Sequence, residues 1–339
     1  MSGRIRERGF LRRLWWDEDP GADIFRTTFS QPLGTNLEPG EVRGYYIDLS
    51  IKSGAPTWPP WWLRRDAPVW WVAVAQFGLG CHERYLSGEG GQWLEAAVRA
   101  GDELLAKQHS DSGPRDGAWL HEFPFPHTFQ LQVPWASAIA QGEGASLLVR
   151  LADLTGEDRY AEAALRALAP MRVSSGDGGL AAELEGGYFP EEYPTAPPSH
   201  VLNGGIFGLW GCHDVAVGLG DVEARDLFEA GVATLEANLH RYDTGYWSRY
   251  DLFPHPVMNI ASAAYHELHV DQLKATAMLS GSEALAAGAA RFEAYRHSRM
   301  AAARAFARKV AFRLAVPRNP LLSRRRREQS HTSRPSGLT

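Results

Sequence analysis

Apolar residues recur at three- and four-residue steps in eight stretches of the chain, which predicts helices over 66–87, 90–108, 136–155, 157–170, 199–218, 221–240, 260–279 and 282–314. The same punctuation divides each pair: LSGEG at 86–90, LTGED at 154–158, GLGDV at 218–222 and LSGSE at 279–283. Gly88, Gly156, Gly220 and Gly281 each close an apolar helical pattern, as a left-handed C-cap does, and an acid or Ser suited to a helix start follows. They lie 68, 64 and 61 residues apart, so a helical hairpin is used four times. The first helix of each pair is rich in small residues and carries isolated polar groups (Gln76, Gln141, Asn203, Tyr265), whereas the second, as in EDRYAEAALRALAP, has a charged face. That pattern predicts an all-α-dominated fold, an (α/α) barrel or toroid with first helices inside and second helices outside.

The connections 109–135, 171–198 and 241–259 are rich in Gly, Pro, His and aromatics and break helical periodicity. Loops of such length in a compact domain usually carry function, and the toroid would gather them at one end. Residues 40–57 (GEVRGYYIDLSIKSGAPT) alternate enough to predict a short β-strand or β-hairpin near the N-terminus. The chain divides into an N-terminal arm (1–65), a barrel (66–295) and a tail (296–339). In the tail, SRMAAARAFARKVAFRLAV at 298–316 predicts a basic amphipathic helix, followed by an RRRR run at 324–327.

Composition narrows the class. With 339 residues, 44% of them hydrophobic, and 14 Phe, 12 Trp and 11 Tyr, the chain is too apolar to remain disordered except at its ends. The net charge of −5 hides an asymmetry: 12 Lys or Arg against the single acid Glu328 over 296–339 give +11, leaving −16 for the rest. Such a tail suits an anionic membrane surface, or a solvated outer helix with a floppy end; no nucleic-acid partner is expected, and a homodimer is open. Cys81 and Cys212 have no CxxC spacing and read as core thiols. No secretory signal or stretch of about 20 apolar residues is present, which predicts a cytoplasmic protein, peripheral at most to the inner membrane face.

Candidate chemistry lies in three segments. In GGYFPEEYPTAPPSHVLNGG (186–205), Pro190, Pro194, Pro197 and Pro198 fix an extended path towards Ser199, a candidate cap for the helix holding Asn203. Glu191, Glu192 and Tyr193 would sit at the mouth of the ring, where an EEY string is more often a solvated acid pair and a packing aromatic; neighbouring side chains on extended backbone point oppositely, so the two acids should differ in surroundings. In RYDTGYWSRYDLFPHP (241–256), Tyr242, Tyr246 and Tyr250 recur every fourth residue about a DTG turn. Tyr246, Trp247 and Tyr250 form either a platform for sugar faces or a loop seal. In NIASAAYHELHVDQL (259–273), His266 and His269 are three apart and miss the zinc spacing HExxH, so no metal is expected.

These stretches, PEEYPTAPPSHVLNGGIFGLWGCHDV, YDTG with RYDL, and YHELHVDQL, resemble the C-terminal catalytic region of D-glucuronyl C5-epimerases. VPWASAIAQGEGASLLVRLADLTG (133–156) and VAVAQFGLGCHERYLSG (72–88) extend the resemblance to about residues 66–282. It implies an (α/α) barrel of four hairpins, without the β-rich N-terminal domains or membrane anchor of animal members. It also implies conversion of glucuronate to iduronate in a heparosan-type glycan, with no cofactor. The family's catalytic positions fall on Glu192, Tyr193, Tyr250 and Tyr265. Gln76, Trp135, Gln141, Asn203, Tyr246, Arg249, His255 and His266 are the candidate substrate-binding residues, with Arg249, Arg241 and inner-helix N-termini as candidate carboxylate clamps. Where animal members read YDLRH this chain reads YDLFP, so Phe253 replaces a substrate-facing arginine. Inverting C5 requires removing a proton α to a carboxylate and returning one from the opposite face, which asks for an acid/base pair flanking the ring and donors for the developing charge. A uronate lyase would begin with the same proton abstraction, and a silent glycan-binding protein would keep the aromatics.

Overall fold

The computed structural model describes Trp15 and residues 31–38, 40–60, 63, 68–125 and 128–317. Gly156, Gly220 and Gly281 end their helices in the left-handed conformation at φ 70–71°. Around these three stops, and a first one where the cap is Ser87 and Gly88 follows at φ 80°, lie four helical hairpins: α2 (Trp71–Leu86) with α3 (Gly91–Lys107), α4 (Ala138–Thr155) with α5 (Asp158–Ala167), α7 (Leu202–Leu219) with α8 (Val222–Tyr242), and α9 (Ala263–Ser280) with α10 (Glu283–Arg296). Among the described residues, two one-turn helices, α1 (Ser50–Ser53) and α6 (Ala169–Arg172), and a final helix, α11 (Arg299–Ala315), make up the rest of a helix-dominated fold. Among the described residues no helix is long and apolar enough to cross a membrane.

The first helices are buried nearly all round: every residue of α7 from Leu202 to Ala216 is inside, and every residue of α4 from Ala138 to Leu151. The second helices bury one stripe, such as Tyr160, Ala163, Ala164 and Ala167 in α5. The buried helices pack in chain order, α2 on α4, α4 on α7 and α7 on α9. Gly142 and Gly211 meet where α4 crosses α7, letting the two backbones touch.

Several expectations are corrected. The segment 40–57 is no β-hairpin: it makes one bridge, Leu33 to Ile47, then enters α1. Tyr45, Tyr46, Ile47 and Leu49 are all buried, because this segment inserts against the C-terminal halves of α2, α4 and α7 rather than lying on a surface with one wet face. The two-stranded sheet lies instead in the connection 171–198, where β1 (Ala181–Leu184) pairs antiparallel with β2 (Gly187–Pro190). Its two-residue turn, Glu185 and Gly186, has φ of 49° and 83°, as a twist-matched hairpin turn requires.

Helices α7 and α9 start later than their periodicity suggests. Ser199 does not cap α7; it bonds the Glu191 carboxylate, and the cap position is Val201. Residues 260–261 continue a ladder with Ser248 and Arg249, so Ser262 begins α9 by accepting from the Tyr265 N–H. The pattern over 282–314 is two helices, because Ser298 accepts from the Ala301 N–H and caps α11. One face of α11 (Ala301, Ala305, Lys309, Phe312) is buried against the body, while Met300 and Leu314 are exposed. The basic run at 324–327 lies outside the described residues.

A Cβ at Gly211 would stand 2.7 Å from the Gly142 carbonyl oxygen. Gly211→Ala should therefore lower stability by about 1–3 kcal/mol despite the better helix propensity of Ala, read as a lower urea midpoint at unchanged slope.

Candidate active site

Two neighbouring acids after β2 meet opposite environments. The Glu191 carboxylate accepts from the Ser199 N–H (2.9 Å), the Ser199 hydroxyl (2.6 Å) and the His200 N–H (2.9 Å), with His200 Nδ1 2.9 Å from its Oε1. Its own carbonyl accepts from the Ala138 N–H at the start of α4. Glu191 thus ties the turn before α7 to the start of α4. Glu192 points the other way, packs against the bare backbone of Gly204, and keeps Oε2 without a protein partner.

Glu192, Tyr193 and Tyr250 form a buried relay of side chains, with Tyr193 between the carboxyl and the second phenol. Burial raises the Glu192 carboxyl to about 8; the Tyr193 bond pulls it down, and the charges of Glu191 and Asp251 push it up. Burial, followed by the Glu192 charge, holds the phenols of Tyr193 and Tyr250 well above their ordinary value. Tyr265, half-buried in the first turn of α9, meets the Tyr250 ring edge to face at 4.9 Å. Phe125, Phe129 and Trp135 surround Tyr193 at 4.5, 5.2 and 6.1 Å between ring centres, closing a second apolar core beneath the loops.

A further acid reaches this region from α4. Glu143 is buried, accepts from Gln76 Nε2 (2.9 Å) at Oε1, and has no protein partner at Oε2. Its carboxyl is raised to about 8 by burial, lowered by Gln76 and by the buried Lys52, and raised by Glu192. Neither Glu143 nor Lys52 was singled out from the sequence, although Glu143 stands in AIAQGEGASL, a polar residue in apolar surroundings like the glutamines that were.

The remaining candidates divide. Gln76 belongs with Glu143, and Asn203 precedes the Gly204 on which Glu192 rests, its Oδ1 without a protein partner. Trp135 stacks on His121 at 4.2 Å. Tyr246 is covered by the Arg304 guanidinium at 4.0 Å, and Arg241 pairs with Glu185. Arg249 is half-buried, its basicity reduced by burial and partly restored by Asp251. Gln141 is committed to protein partners, accepting from the Trp119 N–H and donating to the Gly117 and Ala167 carbonyls. His266 Nδ1 meets Ser248 and its Nε2 lies 2.9 Å from the Phe292 carbonyl, with the ring on Trp247 at 3.8 Å; burial lowers it to about 4. His255 sits among Phe129, Phe253 and Phe312, 3.3 Å from Asp251. Among the described residues, no three His, Cys, Asp or Glu side chains cluster so as to hold a metal ion.

The family model described as D-glucuronyl C5-epimerase C-terminus matches residues 113–294, which include the relay, Tyr265 and Glu143. The chain is 36% identical over 183 residues to a D-glucuronyl C5-epimerase of Caenorhabditis elegans, a stretch covering 49% of this chain and 30% of that protein. It is 30% identical over 141 residues to an uncharacterized protein of Methanocaldococcus jannaschii, covering 40% of this chain and 46% of the relative. The chain thus spans less than half the length of either curated relative.

Because the folded state holds protons on Glu143 and Glu192 that the unfolded chain releases near 4.5, stability from these groups is full below that pH and lost as pH rises towards 8. The slope reaches about 1.4 kcal/mol per pH unit per carboxyl. Between pH 5 and 8 the thermal midpoint of the native protein should fall relative to that of Glu143→Gln/Glu192→Gln, on a background that rises up to about pH 6.5 because burial lowers the basicity of His82, His121, His266 and His269. Glu191→Gln should instead lose about 1–3 kcal/mol at every pH in that range by stranding buried donors.

Proposed function

We propose that this chain, which belongs to the D-glucuronyl C5-epimerase C-terminus family, inverts C5 of D-glucuronate residues in a polysaccharide or oligosaccharide to give L-iduronate. The observation that carries this reading is the buried relay of Glu192, Tyr193 and Tyr250 at the start of α7, where Glu192 rests on Gly204 with Oε2 unpartnered and the Tyr250 carbonyl accepts from the Leu202 N–H. A proton α to a carboxylate is weakly acidic, so its removal needs a base stronger than an ordinary glutamate, in surroundings that leave it poorly solvated. Glu192, with its carboxyl near 8, is such a base when ionised and such an acid when protonated.

Removal of the C5 proton moves negative charge onto the uronate carboxylate, where hydroxyl donors become more valuable than in the ground state. The tyrosines suit that task, since a phenol with raised pKa stays protonated at neutral pH and donates. Glu192 takes the proton from one face, and Tyr250 or Tyr265 returns one from the other. The architecture we infer is a closed (α/α) toroid: the first helices form its wall in sequential contact, and the site occupies the end where they begin. Within it, the paired chemistry of Glu192 and tyrosine replaces the two-carboxylate arrangement of glycoside hydrolysis.

Exchange of C5 hydrogen with solvent deuterium, followed by NMR on heparosan and other glucuronate polymers, tests the reading, with iduronate as the expected product. Exchange should rise with pH through about 8 as Glu192 ionises. Glu192→Gln and Tyr250→Phe should each reduce it roughly 100- to 10,000-fold while folding is kept. Appearance of an unsaturated, ultraviolet-absorbing product would make the chain a lyase, and normal exchange by both folded variants would remove the relay from the chemistry.

A further inference from the structure

Lysine is rarely enclosed by protein unless its ammonium is well partnered. Lys309 is 5% exposed and lies on α11, beyond the residue at which the family match ends. Its stem fills the buried stripe between Ala305 and Phe312, and its Nζ donates to Asn259 Oδ1 (3.1 Å) and to the Ile260 carbonyl (2.8 Å). The same nitrogen stands 5.7 Å from the centre of the Tyr250 ring.

Both acceptors belong to the segment that fixes Tyr250. The Tyr250 N–H donates to the Asn259 carbonyl (2.8 Å), the Asn259 side-chain amide donates to Asp251, and Ile260 bridges Arg249. A shift of Asn259 or Ile260 therefore moves Tyr250 relative to Tyr193 and Glu192. Helix α11 is itself anchored on two long connections: Arg304 covers Tyr246, Phe312 packs on His255, and Arg313 donates to Thr128 Oγ1 (2.9 Å). The groups facing Tyr250 are Tyr193 and Glu192 from the loop before α7, Tyr265 from α9 and Lys309 from α11; His269 of α9 also feels the Lys309 charge.

We propose that Lys309 is a positioning residue of this site: through Asn259 and Ile260 it sets where the Tyr250 hydroxyl stands, and its charge beside the ring stabilises negative charge arriving there. The inference rests on the proton-transfer reading above and extends the working site to a helix that the family match leaves out.

The test is C5 exchange by the full chain in Lys309→Met, which keeps the stem and removes charge and donors, and in Lys309→Arg, which keeps the charge. Lys309→Met should lower kcat about 10- to 100-fold with little change in KM, as expected of a misplaced reacting group, and Lys309→Arg should recover most of it. Fluorotyrosine placed at position 250 gives a second readout without turnover. Its titration followed by fluorine NMR should move to higher pH in Lys309→Met and return in Lys309→Arg. A folded Lys309→Met with native kcat and an unmoved fluorotyrosine titration overturns the proposal. Should the native chain exchange C5 hydrogen in no glucuronate polymer, the epimerase reading fails while the fluorotyrosine titration still decides the role of Lys309. If Lys309→Met does not fold, Lys309→Gln is read by the same two measurements.

Discussion

The carboxylate of Glu191 is the point from which the site is built. Removed from water, a carboxylate must be given donors, and Ser199 and His200 supply them. That requirement bends the chain before α7, holds His200 at a positive φ of 45°, and delays the helix to Leu202. With Glu191 turned into the turn it organises, strand alternation turns Glu192 towards the tyrosines. Two adjacent glutamates thus acquire opposite characters: one is saturated with backbone donors, and the other keeps a free oxygen and a strongly raised affinity for its proton.

The opposite end of the first helices handles buried charge differently. Arg150 and Asp214 are wholly enclosed and 2.7 Å apart, with Tyr46 donating to Asp214 and the Gly44 carbonyl accepting from Arg150. Near them, the Glu83 carboxylate accepts from the Tyr45 N–H and from Asn36. Residues 44–46 supply what α2, α4 and α7 leave unsatisfied, which is why this segment is drawn inside instead of forming a surface hairpin. A buried ion pair is weak support for net stability, but losing one partner leaves an uncompensated charge and typically costs about 3–5 kcal/mol. Backbone and side chains thus tie this end together, leaving Arg150 Nε and the Tyr45 and Ser146 hydroxyls over. At the other, Glu143, Glu192 and Asn203 each keep an unpartnered oxygen.

The hairpins were legible because helix stops are local: a glycine after an apolar run announces its φ without reference to anything distant. The EEY and YDL strings stood out through their resemblance to the C5-epimerase family rather than through any local physical rule. Helix starts were less legible, since Ser199 looks like a cap from its neighbours and becomes a ligand of Glu191 only in three dimensions. Glu143, Lys52 and Lys309 escaped because a lone charge at helical spacing normally marks a solvated face, and only packing from another element encloses it. The aromatics of 241–256 likewise divide by partner: Trp247 is locked onto His266 and the Ala261 carbonyl, whereas Tyr250 reaches the acid.

The bond between Arg313 and Thr128 joins residues 185 apart, and that between Lys309 and Asn259 joins residues 50 apart. During synthesis the hairpins emerge first, each made of local contacts that close quickly, while the loops above them wait for the helix that binds them together. Until α11 docks, the segment that carries Tyr250 lacks the bonds from Lys309, and the 109–135 connection lacks the bond from Arg313. The placement of Tyr250 beside Glu192 thus depends on the docking of α11, a helix that follows all four hairpins in the chain.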